Sequence, residues 1–67
     1  QLDTAAIKER LLKDLEYEQN FLASVMKKLS NEKFVQNAKP EIIALERKKQ
    51  ADAEARINTI EESLKSL

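Results

Sequence analysis

The sequence predicts an all-α fold, a two-helix antiparallel coiled-coil hairpin with a short helical turn at its tip. Three observations support this fold: the 67 residues include no glycine and only one proline, 36% of them are charged, and apolar residues recur at helical spacing in two segments. A chain of this length forms one domain, which we expect to span 1–67 as a single coiled-coil arm. It lacks cysteine and histidine, so helix packing must stabilise it without disulfides or zinc.

The first helix is predicted over about 4–29, where apolar residues form one seam. Asp3 or Thr4 is suited to cap its N-terminus. The seam consists of Leu11/Leu12, Leu15, Leu22, Val25/Met26 and Leu29.

The second helix is predicted over about 40–66, with a seam that alternates steps of three and four residues, as a coiled coil requires. Its members are Ile43, Glu46, Gln50, Ala53, Ile57, Ile60, Leu64 and Leu67. The half near the C-terminus is apolar and the other half is polar. Gln50, together with Glu18 or Gln19 of the first helix, therefore costs stability and can fix the register of the two helices.

The connection between the helices covers 30–39, where Ser30 and Asn31 can end or cap a helix and Pro40 fits the first turn of the next one. About ten residues is longer than most bundle loops, so we expect a short helical turn around 31–36.

A link this short makes the two helices antiparallel neighbours. Facing positions then have residue numbers that add up to about 72. Leu29 is expected to meet Ile43, and Leu15 to meet Ile57.

Charge is distributed unevenly about the connection. Residues 27–49, which we call the basic segment, hold seven basic residues and three acids, a net charge of +4, whereas the rest of the chain holds five basic residues and nine acids. The basic residues of the segment are Lys27, Lys28, Lys33, Lys39, Arg47, Lys48 and Lys49. Antiparallel pairing collects them at one end of a rod, where they can contact phosphates without a pocket. A solvated helix face or a protein-docking surface explains the same charge.

Catalysis is not indicated by this composition. Without histidine or cysteine the chain has no imidazole base, thiol nucleophile or soft metal ligand, and no glycine-rich loop could hold a nucleotide phosphate. We therefore predict no catalytic, cofactor-binding or metal-binding residues. No apolar run or signal peptide directs the chain to a membrane, so we expect a soluble, cytoplasmic protein, and a first residue of Gln1 suggests a piece of a longer polypeptide.

Phe34 is the only aromatic residue in the connection. It could stack on an exposed base, as recognition of looped RNA often requires, or it could close the end of the hairpin core.

The connection and its flanks resemble one family. The runs Lys27 to Val35, Asn37 to Ile43 and Glu46 to Lys49, followed by Ala51 to Ile57, are similar to the C-terminal coiled-coil, tRNA-binding arm of valyl-tRNA synthetases. The similarity covers nearly the whole chain and is weakest over its first ten residues. One departure is Lys39 before Pro40, where the family more often has alanine, which should shift the start of the second helix slightly.

This resemblance implies an arm that binds tRNA at its outer corner, where the D and T loops meet, and assists a ligation performed by other domains. The ATP site, valine pocket and editing domain would lie in those domains, and the expected partners are tRNA and the rest of the synthetase. By position, the implied tRNA-contact residues are Lys27, Lys28, Lys33, Phe34, Lys39, Arg47 and Lys48. Lys49 is a weaker candidate because the sequence does not fix helix rotation to within one residue.

Two other functions remain open from the sequence. One is a structural or protein-interaction coiled coil, in which weak self-association of the isolated arm is expected at high concentration. The other is the ribosome-directed hairpin of ABC-type translation factors, which explains the charge but not the Asn-Glu-Lys-Phe-Val tip at 31–35.

Overall fold

The computed structural model describes residues 3–67 and contains three helices: α1 (Thr4–Leu29), α2 (Glu32–Asn37) and α3 (Pro40–Lys65). The two long helices pack against each other along their length, and α2 packs against the end of α1. The predicted all-α hairpin with a helical turn at its tip is confirmed. Gln1 and Leu2, with which the expected domain begins, lie outside the described residues.

Backbone groups at both ends of α1 form hydrogen bonds with nearby residues. The Oδ1 atom of Asp3 accepts hydrogen bonds from the backbone N–H groups of Ala5, at 3.1 Å, and Ala6, at 3.3 Å, so Asp3 is the N-cap. At the other end, the backbone N–H of Ser30 donates to the carbonyl of Met26. Lys27 and Lys28 in the last turn interact favourably with the negative C-terminal end of the helix dipole. This interaction stabilises the end of α1 just before the connection.

The connection folds as α2 because Asn31 caps it. Its Oδ1 atom accepts hydrogen bonds from the backbone N–H groups of Lys33 and Phe34, at 3.0 and 3.4 Å. Lys39 is extended, with φ −64° and ψ 150°, which is the conformation that a following proline favours. Pro40 then opens α3 at a position where its missing N–H costs no helical hydrogen bond.

The seam between α1 and α3 is narrow. Val25 and Ala53 are its two buried apolar residues among those described, and Ala53 is 0% exposed. The other seam residues are half-buried: Ile7, Leu11, Leu15, Leu22 and Leu29 on α1, and Ile43, Ile57, Ile60 and Leu64 on α3. Leu12 and Met26 are exposed, so Leu11 and Val25 are the seam members of the two pairs that the sequence left open. Glu18 rather than Gln19 is the polar residue of the seam in α1.

Two ion pairs report the register of the hairpin. Arg56 Nε lies 3.0 Å from Glu18 Oε1, and Lys28 Nζ lies 3.6 Å from Glu46 Oε1. The residue numbers of each pair add up to 74, two more than the expected sum. The helices pair antiparallel as predicted, and these two contacts place the register two above the expected sum.

The result is a rod whose Cα atoms extend over 53 × 14 × 14 Å. The basic segment forms one end of this rod, which we call the distal end, and the opposite end carries Asp3 and Leu67, the first and last described residues. None of the described helices is long and apolar enough to cross a membrane.

Replacing Ala53 by leucine should destabilise the hairpin, because a fully covered methyl group leaves no room for a larger side chain between the helices. We expect Ala53→Leu to lower the free energy of unfolding by about 1–3 kcal/mol. Ala51→Leu, at an exposed position of the same helix, is the matched control and should unfold like the parent chain. Thermal unfolding followed by circular dichroism measures both, and equal melting temperatures of the two variants would contradict the described packing.

Candidate nucleic-acid interface

The distal end exposes nearly every residue proposed to contact tRNA. Lys27, Lys28, Lys33, Lys39, Arg47 and Lys48 are all exposed, and Phe34 is half-buried. Within the part of the chain that the structure describes, five of these cations take part in no ion pair: Lys27, Lys33, Lys39, Arg47 and Lys48. Their charge is therefore available to an external anion.

These cations lie on different sides of the rod. A helix turns about 100° per residue, and the seam is marked by Val25 in α1 and by Glu46 and Ala53 in α3. Lys27 and Lys48 each lie two residues past a seam position, which directs both away from the partner helix. Antiparallel pairing thus brings them to the same end of the rod, as predicted, but on opposite outer faces.

Arg47 has an apolar neighbourhood. It lies at a shallow open groove between α2 and the start of α3, whose other lining residues are Val35, Ala38, Pro40, Ile43 and Ala44. Here a guanidinium group adjoins apolar surface at the tip.

Phe34 is neither free in solvent nor enclosed. Its backbone N–H is held by Asn31, and its side chain is half-buried, as is that of Val35. Lys33 and Lys39 lie on either side of it along the connection, so an aromatic surface and two cations occur together at the end of the rod.

Lys28 and Lys49 differ from the other cations because both contact one carboxylate. Lys49 Nζ donates a hydrogen bond of 3.0 Å to Glu46 Oε2, and Lys28 Nζ, from the opposite helix, lies 3.6 Å from Glu46 Oε1. The Glu46 side chain is only 6% exposed. We refer to these three residues as the Lys28–Glu46–Lys49 cluster.

The cluster keeps Glu46 ionised. The hydrogen bond from Lys49 lowers the pKa of Glu46 below its ordinary value of 4.5, and the positive charge of Lys28 adds to this effect. Burial raises the pKa and opposes both lysines, but it does not reverse the shift. The carboxylate is covered by protein yet lies in a rod only two helices thick, which limits the cost of removing it from water.

Sequence reasoning placed Glu46 in the seam but assigned it no role. The signal was present, because Lys49 follows it by three residues on the same helix and Lys28 is its cross-helix neighbour when facing numbers add up to 74. The second cross-helix pair, Arg56 with Glu18, also has numbers that add up to 74. Both pairs were missed because facing numbers were expected to add up to about 72.

Nothing in the arrangement of the described residues indicates a metal centre. No group of three or more histidine, cysteine, aspartate or glutamate residues within 3–67 could hold a metal ion. The chemistry that this end of the rod offers is the binding of anions by exposed ammonium and guanidinium groups.

A helical hairpin whose distal end exposes cations that make no ion pair among the described residues has the form of a binding arm, and comparison with known proteins identifies the family. The model of the valyl tRNA synthetase tRNA binding arm matches residues 3–67. The chain therefore belongs to the valyl-tRNA synthetase tRNA-binding arm family, as the sequence resemblance predicted.

Individual relatives agree with this assignment. The chain is 52% identical over 66 residues to a valine-tRNA ligase of Christiangramia forsetii, covering 98% of this chain and 8% of that protein. It is 55% identical over 58 residues to a valine-tRNA ligase of Parabacteroides distasonis, covering 87% of this chain and 7% of that protein. The chain thus spans less than a tenth of the length of these relatives. No solved structure matches it.

Acid should destabilise the hairpin partly through Glu46. Because the pKa of Glu46 is lower in the folded chain than in the unfolded one, its carboxylate stabilises the fold above the unfolded pKa. That stabilisation is lost as the pH falls through the folded pKa. Glu46→Gln should therefore melt at a lower temperature than the parent chain at pH 7 and show a smaller loss of melting temperature between pH 7 and pH 3.

Glu61→Gln, at an exposed position outside any ion pair of the described residues, is the matched charge control. Identical pH dependence in the parent chain and in Glu46→Gln would show that the cluster does not hold this carboxylate ionised.

Proposed function

We propose that this chain is the arm through which a valine-tRNA ligase holds tRNA, and that its distal end contacts the outer corner where the D and T loops meet. The observation that carries the proposal is the family match over residues 3–67. It is supported by five exposed cations at one end of the rod that make no ion pair among the described residues. Ligation of valine to tRNA with ATP would be performed by other domains of the parent enzyme, in the cytoplasm.

The charge distribution supports this orientation. The distal end has a net charge of +4, and the remainder of the chain has a net charge of −4. Electrostatic attraction therefore orients the distal end towards a polyanion. The remainder of the chain, with its net charge of −4, would lie towards the enzyme body. A rod of 53 Å carries the distal end well away from that body.

The kind of contact follows from the residue types. Lysine ammonium groups bind phosphate oxygens and carry no base code, so recognition would depend on the shape of the folded RNA. Phe34 and the apolar groove beside Arg47 would supply the contact with bases that are unpaired at a loop.

Cations on opposite outer faces limit how many can act together. An RNA surface that touches Lys27 leaves Lys48 on the far side of the rod, about 14 Å across between Cα extremes. Binding by the isolated chain is therefore expected to be weak and to fall steeply with salt.

Several large apolar side chains outside the distal end are exposed, including Tyr17 at 68% and Leu12 at 47%. These provide the surface for contact with the parent enzyme and for weak self-association of the isolated arm at high concentration.

Exchanging lysines at the distal end for glutamate should abolish tRNA binding without changing helicity. Lys27→Glu with Lys48→Glu removes two exposed cations that make no ion pair among the described residues. Lys8→Glu with Arg10→Glu, at the opposite end, is the matched control, since both double variants have a net charge of −4. Fluorescence anisotropy with a folded tRNA transcript at low and moderate salt should show loss of binding by the distal variant only. Equal losses in both variants would refute a distal binding site.

The contact with the tRNA corner has its own test. A minihelix that contains only the acceptor and T arms lacks the D loop and therefore the folded corner. We expect it to bind the chain at least about tenfold more weakly than full tRNA, which corresponds to about 1.4 kcal/mol. Equal affinities, measured in the same anisotropy assay, would place the contact elsewhere on the tRNA.

A further inference from the structure

We propose that Glu46 is a positioning residue that holds Lys28 and Lys49 together as a two-lysine site for one RNA phosphate. This inference rests on the proposed RNA-binding function and adds to it a specific subsite and a role for an acidic residue. It also revises the ranking of the lysines, since Lys49 joins Lys28 as a contact residue.

The depth of the three side chains supports this role. Glu46 is 6% exposed, whereas the Lys28 and Lys49 side chains are 54% and 40% exposed. The carboxylate thus lies beneath two ammonium groups, and an anion that approaches from solvent meets the ammonium groups first. Because Lys28 belongs to α1 and Lys49 to α3, the site spans the seam and exists only when the hairpin is closed.

Glu46 does not use all the N–H donors of the Lys28 and Lys49 ammonium groups. Each ammonium group has three N–H donors, and Lys49 uses one in its 3.0 Å hydrogen bond. Lys28 makes an ion pair at 3.6 Å, and Glu46 Oε1 has no hydrogen-bond partner. Two ammonium groups and one carboxylate leave a net charge of +1, which matches one phosphodiester.

Packing alone does not explain an acidic residue at position 46. It lies in the seam, where an apolar side chain would pack between the helices without the cost of burying a charge. A carboxylate at this position restrains two flexible lysine side chains in the free protein. Without it, their conformational freedom would be lost when RNA binds, which would weaken binding.

Simple charge counting makes the opposite prediction, and this allows a sharp test. Removing a negative charge from the distal end raises its positive potential, so Glu46→Gln and Glu46→Leu should strengthen binding if only net charge matters. If Glu46 positions the lysines, both variants should bind a folded tRNA transcript about five- to tenfold more weakly despite the added positive charge.

Glu41→Gln, an exposed acid of the same helix, is the charge-matched control and should bind as tightly as the parent chain or more tightly. Glu46→Leu separates folding from binding, because an apolar side chain in the seam is expected to keep or raise the melting temperature. Binding by both Glu46 variants that is as tight as that of the parent chain or of the Glu41 control would overturn the proposal.

A double-mutant cycle distinguishes positioning from a general loosening of the hairpin. Lys28→Ala should weaken binding in the parent chain and have little further effect in Glu46→Leu, whereas Lys27→Ala should have the same effect in both backgrounds. Loss of the Lys27 effect as well would mean that Glu46 acts only on the fold, and the proposal would fail.

Inorganic phosphate provides a readout that does not depend on tRNA. In NMR titrations of lysine-labelled protein, the side-chain signals of Lys28 and Lys49 should move together in the parent chain and should no longer do so in Glu46→Leu. If the parent chain fails to bind tRNA but shows this joint response, the proposed function fails and the two-lysine site stands. Signals that respond independently of Glu46, or not at all, would refute the site itself.

Discussion

Antiparallel pairing of α1 and α3 along one narrow seam is the constraint on which the rest of the structure depends. A rod of two helices has no central core, and Val25 and Ala53 are its buried apolar residues within the described range. Most seam side chains remain partly exposed, so stability is the sum of many shallow contacts. The pairing also creates the charge distribution, because it brings the end of α1 beside the start of α3.

The half of the seam nearer the distal end is polar, and ionic contacts contribute to the helix pairing there. In the half of the rod away from the distal end, Ile57 and Ile60 continue an apolar stripe, but towards the distal end Glu46 and Gln50 occupy the equivalent positions. A buried carboxylate in a low-dielectric core would require a strong compensating charge. Here two lysines from different helices provide it at the edge of a thin rod, so the distal half is held together by the same class of group that the proposed function presents to RNA.

The sequence predicted most of the fold because the relevant signals are local. Helical spacing, the capping side chain of Asn31 and the position of Pro40 each act within a few residues, and all three are found in the structure. α3 starts at Pro40, where the second helix was predicted to begin, with Lys39 immediately before it.

The site was less predictable because it depends on helix rotation. Sequence placed the cations at one end of the rod, but a difference of one residue turns a side chain by about 100°. Whether Lys28 faces Glu46, and whether Lys27 and Lys48 share a side, therefore required the register and the burial of both helices. Family comparison identifies the arm, but it does not assign these individual contacts.

The pairing itself is tested most directly by a distance between the two helices. The chain has no cysteine, so spin labels can be attached uniquely through Arg10→Cys and Glu62→Cys, both at exposed positions near the chain termini. Pulsed electron paramagnetic resonance, with labelled protein diluted in unlabelled protein, should give a distance of about 20–30 Å, the interaxial separation of packed helices plus two label arms. A distance of about 75 Å, expected for 52 residues of one continuous helix that pairs with a second chain, would contradict the hairpin and everything derived from it.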